Sequence, residues 1–141
     1  MQINRGTEYA IRAALFLTLN EERAPVPVVD IASGIAAPVN YLSNILQALT
    51  RFNIVRAHRG ARRGYSLAAP AAQIDLLQIV EALEGPLAVN CCSNIEPGSC
   101  PMNADCRITE VFNDLQEMIR ARLGRTSLAD AAGRPARRQR T

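Results

Sequence analysis

The sequence predicts a mainly α-helical chain with a small β wing: a winged helix-turn-helix followed by a long C-terminal dimerisation helix. Three observations predict it. Two short apolar-patterned segments, Val28 to Ser33 and Val39 to Leu49, lie only a few residues apart, which is the helix-turn-helix outline. Two alternating runs, Ile54 to His58 and Tyr65 to Leu67, flank a turn that begins Arg59-Gly60 and ends at Gly64, which reads as a hairpin. Finally, Ile108, Val111, Phe112, Leu115, Met118, Ile119 and Leu123 recur at helical spacing and stop at Gly124, the mark of one long apolar helix face.

Each element carries its own local signals. Thr7 to Leu19 places Ala10, Ile11, Ala14, Leu15, Leu17 and Leu19 at close to helical spacing. Gly6-Thr7 offers an N-cap, and Glu8 in the first turn suits the helix dipole. Asn20 to Pro27 is polar, holds two prolines and reads as a loop. Gly34 is the expected stop of the first short helix, and Pro38 pre-sets the first turn of the second. That second helix turns Val39, Leu42, Ile45, Leu46 and Leu49 inward and leaves Asn40, Tyr41, Ser43, Asn44 and Gln47 on its other faces. Further on, Asp75 caps a helix with Leu76, Leu77, Ile79, Val80 and Leu83 apolar, closed by Gly85-Pro86. Thr126 to Ala132 is at best a short terminal helix. The expected organisation is a DNA-binding winged helix-turn-helix at 1–72, a connecting helix at 73–87, a cysteine loop at 88–107, a dimerisation region at 108–130 and a disordered basic tail at 131–141.

The chain has 141 residues, of which 48% are hydrophobic, enough to bury one core and too apolar for general disorder. The longest apolar run near the start, Ala13 to Leu17, is far short of the ~18 residues that suggest a membrane span. It is also too short for a secretory leader, so the expected location is cytoplasmic, with no membrane partner. The charge is distributed unevenly. All sixteen basic residues are arginine, against thirteen acids. Residues 51–64 hold Arg51, Arg56, Arg59, Arg62 and Arg63 and no acid, and the tail from 131 holds four more arginines, again without an acid. The remainder is therefore acidic. A basic segment at the hairpin tip of an otherwise acidic chain attracts a polyanion, here double-stranded DNA. Arg51, Arg59, Arg62 and Arg63 are the candidate backbone contacts. Asn40, Tyr41, Ser43 and Asn44 are the candidate base readers, because the N-terminal residues of the second helix reach base edges. Packing remains the other reading for Tyr41, and plain solvation for the three small polar residues.

The cysteines, Cys91, Cys92, Cys100 and Cys106, fall together in one polar, proline-containing loop. Buried structural thiols are scattered over apolar faces, so this grouping points to a metal site or a redox device. Counted from Cys92 the pattern is C-x7-C-x5-C. Structural zinc favours closer C-x2–4-C knuckles, which leaves an iron–sulfur cluster as the preferred occupant. Cys91, Asp105 and Glu8 are candidates for a fourth ligand. With His58 as its single histidine, no Ser-His-Asp or Cys-His-Asn triad can be assembled away from that residue, and the chain reads as a non-enzyme.

From Met1 to about Ala132 the chain resembles the bacterial family of winged-helix iron–sulfur repressors, whose members include regulators of iron–sulfur assembly, of the nitric-oxide response and of rhizobial iron. The matching pieces are Glu8-Tyr9-Ala10, Asp30-Ile31-Ala32, Asn40-Tyr41-Leu42, Arg59-Gly60 with Gly64-Tyr65, and three cysteines before a long helix. The resemblance implies a homodimeric repressor on a near-palindromic operator, controlled by a cluster on Cys92, Cys100 and Cys106. In the assembly-regulator type a histidine follows the third cysteine and the cysteine spacing is shorter; here Arg107 follows Cys106. The longer spacing is similar to that of the nitric-oxide and iron sensors, which implies [4Fe-4S] over [2Fe-2S], with Glu8 from the partner subunit as the fourth ligand. The wing departs from the family's glycine-rich turn by carrying Arg62-Arg63. Ile108, Val111, Phe112, Leu115, Met118 and Ile119 are the expected dimerisation residues. Two rival readings are a cluster-free thiol sensor and a small iron–sulfur electron-transfer protein. The basic hairpin argues against the second.

Overall fold

The computed structural model of the chain describes residues 2–89 and 106–133. The helices are α1 (Arg5–Leu19), α2 (Val28–Ile35), α3 (Val39–Arg51), α4 (Leu76–Glu84), α5 (Arg107–Gly124) and α6 (Leu128–Gly133). Strands β1 (Val55–His58) and β2 (Gly64–Leu67) lie between α3 and α4. The architecture is the mainly α winged helix with a small β wing that the sequence predicts.

Helix α1 is the centre of the assembly and packs against α2, α3, α4 and α6. It can do so because its inner face is small: Ala10, Ala13 and Ala14 are fully buried beside Leu17, which lets neighbouring helices approach closely. Its start is set by Asn4 rather than by Gly6-Thr7. The Asn4 side chain accepts from the Thr7 N–H at 2.9 Å and from the Thr7 hydroxyl at 3.1 Å, satisfying an orphan donor of the first turn. Thr7 itself is buried in the helix.

The turn between α2 and α3 is three residues, Ala36 to Pro38. Gly34 does not end α2, as its composition suggests. It lies inside the helix, where a Cβ would collide with the Phe16 ring of α1. The glycine is there for helix-to-helix approach, and the left-handed stop falls on Ala36 at φ 55°. A bond from the Ala37 N–H to the Ala32 carbonyl, 2.9 Å, closes the end. Leu42, Leu46 and Leu49 of α3 are wholly buried and Ile45 nearly so, each contributing about 1.5–3 kcal/mol by leaving water.

In the wing, Val55 pairs with Leu67 and His58 with Gly64 in an antiparallel register. The segment read as a plain loop, Asn20 to Pro27, contributes a third short edge. Val26 and Tyr65 exchange both backbone bonds at 2.9 Å, and Val26 is buried. Gly64, at φ 147°, leaves room for the Val26 carbonyl, which a Cβ would strike.

Beyond the wing, Asp75 caps α4 as expected, with reciprocal 2.9 Å bonds between Asp75 and Gln78. Helix α5 docks on α4 through an Arg120–Glu81 ion pair at 2.9 Å and on the segment after α4 through the Val89 N–H, which donates to Gln116 at 3.3 Å. The chain then returns to the winged helix. The Leu76 N–H bonds the Thr126 carbonyl and the Leu128 N–H bonds the Ile74 carbonyl, and Leu128 is completely buried in the core. The segment after α5 thus forms the short terminal helix expected and packs Leu128 into the common core.

Candidate nucleic-acid interface and cysteine loop

Amphipathic α3 has no room for its polar residues inside, and the short turn from α2 leaves their face open. Asn40, Tyr41, Asn44 and Arg51 are exposed. Ser43 is half-buried and its hydroxyl donates to the Val39 carbonyl at 3.0 Å, so this side chain is partly occupied by its own helix. The wing turn holds Arg59, Arg62 and Arg63, all exposed. A cleft of about 790 Å³ separates the two, with Gln47 and Thr50 of α3 on one wall and His58, Arg59 and Arg63 of the wing on the other. The structure therefore brings Arg59 and Arg63 opposite the C-terminal half of α3. Gln47 belongs to this face. The four- and three-residue steps from Asn40 to Asn44 to Gln47 are the signal that extends the readable stripe beyond the first turn. Within the wing, His58 Nε2 and the Ser66 hydroxyl meet at 2.7 Å, which ties the two strands beside the cleft.

Glu8 is exposed in the first turn of α1. Cys106 is the N-cap residue of α5. Its pKa is lowered below the usual thiol value, chiefly by the backbone N–H of Thr109 and then that of Ile108, with burial opposing. A helix N-terminus favours the thiolate in this way, although no full capping hydrogen bond forms to the side chain. Cys91, Cys92 and Cys100 lie outside the described residues. Among the described residues no three His, Cys, Asp or Glu side chains form a metal-sized group.

The apolar stripe of α5 divides in two. Ile108, Val111, Leu115 and Met118 are 60%, 55%, 41% and 67% exposed, at alternating steps of three and four. Phe112 and Ile119 are half-buried. Ile119 shares a groove with Val80 of α4, Leu123 and Ile3, so it faces this chain's own α4.

A helix-turn-helix with an open polar second helix, flanked by a basic wing, defines a winged-helix DNA-binding transcriptional regulator. Residues 3–134 match the Rrf2 family, described as an iron-dependent transcriptional regulator, and the chain belongs to that family. A helix-turn-helix-type transcriptional regulator of Mycobacterium tuberculosis is 33% identical over 134 residues, 94% of this chain and 82% of the relative. The regulator IscR of Cronobacter sakazakii is 26% identical over 130 residues, 92% of this chain and 79% of the relative. Among solved structures, CymR, the global cysteine regulator of B. subtilis, is similar with a TM-score of 0.78 at 23% identity, over 94% of this chain and 97% of that one. T. potens IscR is similar with a TM-score of 0.77 at 22% identity, over 100% and 94%. These two likenesses show the fold. No helix among the described residues is long and apolar enough to cross a membrane.

Proposed function

We propose that the chain is a homodimeric transcriptional regulator whose operator affinity is set by an iron–sulfur cluster, [4Fe-4S] in preference to [2Fe-2S], held by Cys92, Cys100 and Cys106 with Glu8 of the partner subunit as fourth ligand. The observation that carries the DNA-binding half is the exposed face of α3 with arginines, and no acid, across the cleft. Arg59, Arg62 and Arg63 take phosphates, and Asn40, Asn44 and Gln47 meet base edges in the major groove. The family's description as iron-dependent supports the iron half.

The two proposed donors among the described residues, Cys106 and Glu8, suit the role. Cys106 sits where backbone N–H groups favour its thiolate, the form in which cysteine ligates. Exposed Glu8 is open to a second chain. Cys92, Cys100 and Cys106 would hold the cluster together with Glu8 of the partner subunit, and a bound cluster would supply bonds that nitric oxide, oxidants or iron shortage can break. The chain's own residues do the rest. Cys106 fixes the loop to the start of α5, and Ile108, Val111, Leu115 and Met118 give α5 an apolar seam for its partner. Two-fold pairing would place the recognition helices about 34 Å apart or a multiple of that, and select a near-palindromic site.

The test is anaerobic isolation with iron and sulfide counts and a visible spectrum. Alanine at Cys92, Cys100 or Cys106 should each remove the cluster, whereas Cys91→Ala should keep it. Exposure to nitric oxide should lower operator affinity about tenfold or more, ~1.4 kcal/mol of coupling. Zinc without iron or sulfide would sink the cluster. A metal-free protein whose operator affinity responds to thiol oxidation would establish the thiol sensor instead.

A further inference from the structure

The first turn of α1 grips the recognition helix through one side chain. The Tyr41 ring meets the Tyr9 ring edge to face, with centroids 5.7 Å apart and planes at 79°. The Arg12 guanidinium lies 5.8 Å from the Tyr9 centroid and helps hold that ring in place. The hydroxyl end of Tyr41 also lies over Gly6 of α1. A Cβ at Gly6 would come to 2.9 Å from the Tyr41 hydroxyl but only to 3.7 Å from the ring carbon that bears it. Tyr41 is the third residue of α3, at an end with little other restraint. Val39 and Asn40 are exposed, and the Pro38 cap offers no side-chain bond. The buried anchors of α3 begin only at Leu42.

We propose that Tyr9 is a specificity-determining positioning residue. Together with Gly6 it seats Tyr41, and so fixes the angle at which Asn40 and Asn44 meet base edges, although Tyr9 lies on α1, outside both the helix-turn-helix and the wing. The idea rests on the DNA-reading role of α3. Paired donors and acceptors discriminate between bases only in a narrow geometry, whereas phosphate contacts tolerate small rotations and carry no sequence information. A loosened Tyr41 therefore costs discrimination before it costs general DNA affinity. Glu8 adjoins Tyr9 in the chain, so a partner taken by the Glu8 carboxylate acts one residue from the ring contact.

The full-length protein is titrated with an operator selected from a random duplex pool and with a scrambled duplex of equal length, and the melting temperature of each variant is recorded. Tyr9→Leu should lower operator affinity about two- to tenfold, the worth of an aromatic pair, with the scrambled duplex unchanged. Tyr9→Phe should behave as wild type. Gly6→Ala improves intrinsic helix propensity and should nevertheless lose discrimination, because the new methyl would fall 2.9 Å from the Tyr41 hydroxyl, closer than the 3.2 Å at which it would approach the capping Asn4 Oδ1. Tyr41→Phe, measured first on its own because Tyr41 is itself a candidate base reader, removes that hydroxyl and keeps the ring, and in its background Gly6→Ala should cost no further discrimination. This pair decides the matter even if Tyr9→Leu fails to fold. A wild-type specificity ratio in Tyr9→Leu, or a loss from Gly6→Ala that persists in the Tyr41→Phe background, overturns the proposal. So does a loss that follows melting temperature and affects both duplexes equally. A wild-type protein that prefers no duplex at all removes the reading of α3, and the role of Tyr9 with it.

Discussion

The helix-turn-helix core and α5 are both amphipathic, yet only the first is finished. Ala10, Ala13, Ala14, Ile31, Leu42, Leu46 and Leu49 are essentially inaccessible to water. In the eighteen residues of α5 nothing is buried, and Met118 is 67% exposed. The core closes on itself because four helices share the small alanine face of α1. By contrast, α5 leans on α4 with one half of its stripe and leaves the other half open. Its ion pair to Glu81 is partly solvated, with side chains 36% and 27% exposed, and such pairs contribute at most about 1 kcal/mol. An amphipathic stripe therefore predicts that a helix will be covered. Whether its own chain does the covering is decided by the tertiary fold.

The largest effects should separate the two regions cleanly. Leu46→Ala leaves a hole in a core with no slack and should cost about 2–5 kcal/mol in urea unfolding. Leu115→Glu should leave the far-ultraviolet spectrum intact and instead split the dimer, since a desolvated carboxylate would face the partner's apolar seam. Sedimentation at micromolar concentration checks this. A wild-type chain that sediments as a monomer would break the comparison, because the open half of α5 would then have no second copy to cover it. Next comes Gly34→Ala, which forces a methyl against the Phe16 ring and should destabilise by about 1–3 kcal/mol. That is the opposite sign to the gain expected from helix propensity alone. The smallest effect on the fold is the Arg62→Ala/Arg63→Ala pair. Its melting temperature should match wild type, while the slope of log affinity against log salt should flatten by about two.

How far each feature could be read in the sequence follows the same division. The α3 core face, the wing register and the Asp75 cap are legible because each rests on neighbours in the chain: 3.6-residue spacing, alternation around Gly60 and Gly64, and a short polar side chain before an apolar run. The misreadings involve distant partners. Gly34 looks like a stop, but Phe16 of α1 dictates it. Val26 sits in a polar, proline-rich stretch, and only Tyr65, far along the chain, makes it an edge of the wing. The short terminal helix is as expected, but the burial of its Leu128 is not legible, because it depends on backbone bonds from that segment to Ile74 and Leu76. Of the interface, the basic cluster and the first-turn polar residues are visible in order. The opposition of Gln47 to Arg63 and the seat of Tyr41 against Gly6 and Tyr9 exist only after folding.

We propose that this chain reads DNA as a two-fold dimer through α3 and the wing. The most direct measurement is selection of bound duplexes from a random pool by the anaerobically prepared protein at physiological salt. A two-fold dimer should enrich a near-palindromic site bound at least about a thousandfold more tightly than scrambled sequence, with half-sites one helical turn or a multiple apart. A pool that emerges without a preferred sequence, or with a single asymmetric half-site, would contradict it.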